Sequence, residues 1–108
     1  MSDARIAKFQ ALKAQFPDSE MPRWSLATSL AEAGRYDEAI TEFQDLVKIK
    51  PDYCIAFVHL GSALIEEERF EEAIVALEEG RRLAVDQGHN APKQEAEMLI
   101  EQAREELD

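Results

Sequence analysis

Few side chains in this chain of 108 residues could do chemistry: Cys54, His59, His89 and a crowd of carboxylates in which Glu66, Glu67, Glu68, Glu71 and Glu72 stand closest together. A thiol in the first turn of a helix can be shifted toward thiolate by the helix dipole, so a reactive cysteine is one reading of Cys54. A packed, inert cysteine is the other. With two histidines nearby in the repeat pattern, the same residues could be imagined around a metal, but they lack any recognisable ligand spacing, and no metal, cofactor or catalytic residue is expected. The four glycines are scattered and form no phosphate-cradling loop. The glutamate cluster is read as a solvated turn. An enzyme is not expected, and a thiol or metal site around Cys54, His59 and His89 is kept as a remote alternative.

Such side chains need elements to hold them, and composition limits what those elements can be. Apolar residues make up 45% and charged residues 32%, as in ordinary globular proteins. A chain of this length can bury roughly two thirds of its unfolded surface, enough for a modest core. No apolar run is long enough to span a bilayer. The opening MSDARIAKFQALKAQF lacks the continuous apolar segment of a secretion signal, so the expected location is the cytoplasm. A single cysteine agrees with a reducing compartment.

The formal net charge is −11, unevenly spread. Residues 4–17 hold Arg5, Lys8 and Lys13 with no acid, whereas residues 53–80 hold seven glutamates against Arg69. Polyanions are repelled by such a surface, which argues against nucleic acid and anionic membranes as partners.

The elements themselves are written in a repetition. GRYDEAI at residues 34–40 returns as ERFEEAI at residues 68–74, a shift of 34 positions. Laying residues 20–53 over 54–87 gives eight identities, among them Leu26/Leu60, Leu30/Leu64, Arg35/Arg69, Glu38/Glu72 and Ala39/Ala73. Within each copy the apolar residues fall at helical intervals on two segments: Leu26, Leu30 and Ala33, then Ala39, Ile40, Phe43, Leu46 and Val47. Gly34 stands where the first helix must end in a left-handed residue. Pro51 closes the second, Asp52 is a plausible cap for the next, and Asp18-Ser19 followed by Pro22 marks an earlier start. Short breaks between helices of about 13 residues demand antiparallel pairs.

These residues resemble the tetratricopeptide repeat, with its 34-residue period and W-x2-L-G-x2-Y…A-x3-F…P pattern. The second copy reads Phe57-x2-Leu60-Gly61-x2-Leu64 and then Ala73-x3-Leu77; the first reads Arg23-x2-Leu26-Ala27-x2-Leu30, then Ala39-x3-Phe43 and Pro51. One period earlier, Phe9, Leu12 and Pro17 align with Phe43, Leu46 and Pro51. Arg23 at the large aromatic position, Glu68 in place of glycine, Gly80 in place of alanine and Val85 in place of proline depart from the pattern. The last two imply a helix that runs on toward Gly88. Glu68 should be held in the conformation that Gly34 adopts freely. The resemblance implies an all-α, antiparallel helix-pair solenoid, a superhelix of about two and a half repeats plus a C-terminal capping helix. Its parts would be a half-repeat helix over residues 1–17, repeats over 20–53 and 54–87, and a cap over 91–107, with Asn90 as its N-cap and Pro92 in its first turn.

The resemblance also implies a function, protein–protein interaction, in which the first helices of the repeats line a concave groove for a peptide or helix of a partner. With Leu26, Ala27 and Leu30 assigned to the core, the other face of that helix shows Met21, Trp24, Ser25, Thr28 and Glu32, and its counterpart shows Ile55, Val58, His59, Ser62 and Glu66. The expected groove residues are Met21, Trp24, Thr28, Ile55, Val58, His59 and Ser62. Trp24 is the expected anchor, unless it packs on the N-terminal helix near Phe9 or Phe16. The acidic surroundings favour an apolar ligand with basic flanks. Trp24, Thr28 and His59 stand where a clamp for a C-terminal carboxylate would need cations and amides, which argues against that clamp. The alternative function is self-association into a homodimer through the stripe Ile6, Phe9, Leu12 and Phe16.

Overall fold

The computed structural model describes residues 2–108, with only the backbone of Ser2. Six helices follow one another: α1 (Ser2–Gln15), α2 (Glu20–Glu32), α3 (Tyr36–Ile49), α4 (Cys54–Glu66), α5 (Phe70–Gln87) and α6 (Asn90–Leu107). No strand occurs among the described residues. The chain divides into two compact units, residues 1–51 and 52–108.

In the first unit α2 packs against both α1 and α3. Its core is Ile6 from α1, Leu26, Ala27 and Leu30 from α2, and Ala39, Ile40, Phe43 and Leu46 from α3. These are the positions that the helical spacing marks as apolar stripes. In the second unit α4, α5 and α6 pack mutually. Ala96, Ile100 and Ala103 are the buried stripe of α6.

Helix α4 meets α5 in strict antiparallel register. A Cβ on Gly61 would lie 2.3 Å from Cγ of Leu77, and one on Gly80 would lie 3.1 Å from Cγ2 of Val58 and 3.3 Å from the Cys54 carbonyl oxygen. Cys54 closes the same row against Leu83, Ala84 and Phe57. The two glycines are notches that receive neighbouring side chains.

Three helices end in the same way. The Gly34 N–H donates to the Ala31 carbonyl at 3.0 Å and the Arg35 N–H to Leu30 at 2.9 Å; Glu68 and Arg69 repeat this on Ile65 and Leu64, and Gly88 and His89 on Val85 and Ala84. This pattern satisfies carbonyls that the helix leaves open, and it needs a left-handed residue at its centre. Gly34 has φ 78°, Gly88 φ 73° and Glu68 φ 57°, so Glu68 takes the glycine conformation, as its place in the repeat predicts. Past two of these turns Arg35 and Arg69 close two-pronged pairs with Glu38 and Glu72, at 2.6–2.8 Å and 2.7–3.0 Å. That explains why both residues recur in each copy.

Helix starts differ from the sequence reading by a residue. Ser19 does precede α2, with extended backbone but no side-chain cap. Tyr53 rather than Asp52 occupies the capping position before α4, and His89 rather than Asn90 does so before α6. Pro92 lies in the first turn of α6, and α5 runs on to Gln87 before Gly88, as Val85 in place of proline predicts.

Candidate functional site

On α2, Met21 is 59% exposed. Trp24 is half-buried, its ring edge-on to Phe43 of α3 with centroids 6.0 Å apart and planes at 66°. Such a contact fixes the indole while leaving part of it at the surface. The ring therefore packs on α3, a contact that the sequence did not indicate. Thr28 is half-buried and its hydroxyl donates to the Trp24 carbonyl at 3.0 Å, one turn back. Glu32 pairs with Arg5 of α1.

On α4, Ile55, His59 and Ser62 are half-buried. Val58 is fully buried. That corrects its assignment to an open face: Gly80 stands where the first copy has Leu46, and the space so made takes the Val58 side chain against α5. A ligand cannot reach it. His59 faces Glu95 of α6; burial lowers its pKa from the ordinary 6.5, and the Glu95 charge opposes that shift in part. At neutral pH the imidazole is held neutral, as a donor or acceptor rather than a cation. No residue from Cys54 to Ile65 is exposed.

Cys54 belongs to the core, and burial pushes its thiol pKa up, away from thiolate chemistry. His89 is exposed in the turn before α6. Among the described residues no group of three or more His, Cys, Asp or Glu is placed to hold a metal ion. No helix among them is long and apolar enough to cross a membrane. The stripe proposed for self-association lies on α2: Ile6 is buried, Phe9 and Leu12 half-buried, and Phe16 alone 49% exposed.

One arrangement escaped the sequence reading. Arg23 sits where the second copy has Phe57, and Glu42 where it has Ala76. The Arg23 guanidinium donates to the Pro17 carbonyl at 3.2 and 3.3 Å and lies 3.7 Å from Glu42, whose other oxygen accepts from Lys13 at 3.0 Å. Both side chains are mostly covered, at 16% and 13% exposure. The positions that hold Phe57 and Ala76 in one copy thus hold a charged pair in the other. Arg23 was visible as a departure from the repeat pattern; its partner 19 positions away was not.

Comparisons with known proteins agree with this fold. The family profile described as Tetratricopeptide repeat matches residues 30–91, more than half of the chain. A search of curated proteins found no match. Among solved structures, PcrH in complex with the chaperone binding region of PopD superposes with a TM-score of 0.93 at 18% identity, over 99% of this chain and 81% of that one. The TPR2B domain of yeast Sti1, in its complex with pHsp70, gives 0.87 at 17% identity over 94% and 81%. Protein BPP2914 from Bordetella parapertussis gives 0.80 at 24% identity over 94% and 88%. At these identities the likeness is one of fold, an all-α helical-repeat solenoid. With the family profile covering more than half of its length, the chain belongs to the tetratricopeptide repeat family.

Proposed function

We propose that this protein is a binding module without catalysis, which takes a peptide or helix from a partner protein on the open face of α2. The observation that carries the reading is the pairing of exposed Met21 with half-buried Trp24, an indole already oriented by Phe43. Large amphipathic rings fixed in place lose little entropy on binding and dominate such contacts. Thr28 is the further contact proposed on α2; within the second unit Ile55, His59 and Ser62 are proposed as a contact face of α4 by itself, and Val58, being buried, is not part of it. The fold neighbours PcrH and Sti1 are seen with PopD and pHsp70 segments, which supports a protein ligand here. The reading includes the organisation as a half-repeat over residues 1–17, repeats over 20–53 and 54–87, and a closing helix over 91–107.

The ligand is proposed to be apolar with basic flanks, because carboxylates outnumber cations 23 to 12. Met21→Glu is the test, since the residue is exposed and supports no core. A partner recovered with the wild-type protein should be lost with Met21→Glu at unchanged melting temperature, and its affinity should fall as salt rises. Retention of the partner by Met21→Glu and by Trp24→Ala would exclude the α2 face.

A further inference from the structure

Helix α1 is held on its unit by a narrow apolar stripe and an ion pair near each end. Ile6 is its one buried residue among those described, and Phe9, Leu12 and Lys13 are half-covered. Near one end Arg5 donates to Ser29 Oγ at 3.2 Å and pairs with Glu32 on α2. Near the other, Lys13 pairs with Glu42 on α3 at 3.0 Å. The two cations are eight positions apart, about 12 Å along a helix, with the apolar stripe between them.

We propose that the α2–α3 surface beneath α1 is a groove for a basic amphipathic helix from a partner protein, with α1 as the resident occupant that such a helix displaces. The surface offers carboxylates, Glu32 and Glu42, at the spacing of two cations on one helix, and apolar positions between. Its complementarity to that ligand is shown by the segment already bound. Partly exposed ion pairs are individually weak and are screened by salt. The hold of α1 therefore comes largely from its covalent link, which acts as a high local concentration. A helix with the same cation spacing and a fuller apolar stripe competes with it.

The probe is a fluorescent peptide of residues 2–17, titrated into the full chain and into the double variant Arg5→Glu/Lys13→Glu. Reversing the two charges repels the resident helix from Glu32 and Glu42 and leaves the groove intact. The variant should bind the peptide at least about tenfold more tightly than the wild type, less so at high salt, and a peptide carrying the same two reversals should not bind. Equal or absent binding to both chains overturns the proposal. Hydrogen exchange on the wild type gives a second measurement that needs no variant to fold. The amides of α1 should lose protection as salt rises while α2 and α3 keep theirs; exchange of all three in step at every salt concentration overturns it. A dimer that forms by trading α1 between copies would assign the groove to a second copy and overturn the partner assignment.

Discussion

Glu68 adopts φ 57° where the first copy uses Gly34 at φ 78°. A residue with a Cβ loses on the order of 1 kcal/mol in that region, and glycine recovers it at the cost of a more flexible unfolded chain. Glu68→Gly should therefore stabilise modestly, raising the melting temperature by about 1–4 °C. Gly34→Glu should lower it by a similar or larger amount, through backbone strain alone, because nothing lies within 4 Å of the added Cβ. Thermal melts of the two variants check both signs. His59 makes a different demand. Its folded pKa lies below the unfolded 6.5, so an unfolded chain takes up a proton that the folded one refuses. The stability it permits is complete above about pH 6.5 and erodes as pH falls, until the folded pKa is reached. His59→Gln should flatten the pH dependence of the denaturation midpoint between about pH 7.5 and 5.5, while the wild type loses stability over that range. An equal slope in both proteins would place the imidazole in water.

Helix α3 and its counterpart α5 show how one repeat accepts two chemistries. Where the second copy has Ala76 and Phe57, the first has Glu42 and Arg23, and Glu42 also pairs with Lys13. Glu42→Ala alone leaves two cations facing a largely covered site and should destabilise by about 1–3 kcal/mol. Adding Arg23→Phe gives both positions the residues of the second copy, removes one of the two cations and should restore most of that loss. Urea denaturation of both singles and the double closes the cycle, and additive effects would mean the two side chains are independent. The helices, their order and their breaks were legible in the sequence because period, glycine and proline all mark the same boundaries. The caps were off by a residue because neither Tyr53 nor His89 has a capping side chain to announce it. The face containing Val58 was misread for a deeper reason. Helix α4 buries eight of its thirteen residues, so the stripe at Leu60 and Leu64 marks only one of several packed faces. Gly80, already conspicuous as a departure, was the available clue.

At the scale of the whole chain, charge is partitioned. The first unit carries seven Lys and Arg against eight Asp and Glu, the second five against fifteen. Most pairs in the second unit join neighbours on one helix, as Arg69–Glu72, Arg82–Glu79 and Arg82–Asp86 do, and leave the excess of acid unopposed. Self-repulsion of this kind weakens as the Debye length shrinks from about 30 Å at 0.01 M to about 8 Å at 0.15 M salt. The melting temperature should accordingly rise by a few degrees over that interval, measured at constant pH. A fall would mean that the ion pairs outweigh the repulsion. With the expected rise, salt acts oppositely on the fold as a whole and on the docking of α1.

The notches at Gly61 and Gly80 have a mechanical consequence. Leu77 seated in one and Val58 in the other key α4 to α5 at two points along the same register. Sliding either helix by a turn would drive both side chains into backbone, so shear, a common route by which packed helices adjust to a ligand, is blocked for this pair. Helices α4 and α5 must then move as one stiff lever. Any yielding to a ligand within the second unit falls to side-chain rotamers and to the turn at Gly88, where no neighbouring atom crowds the backbone.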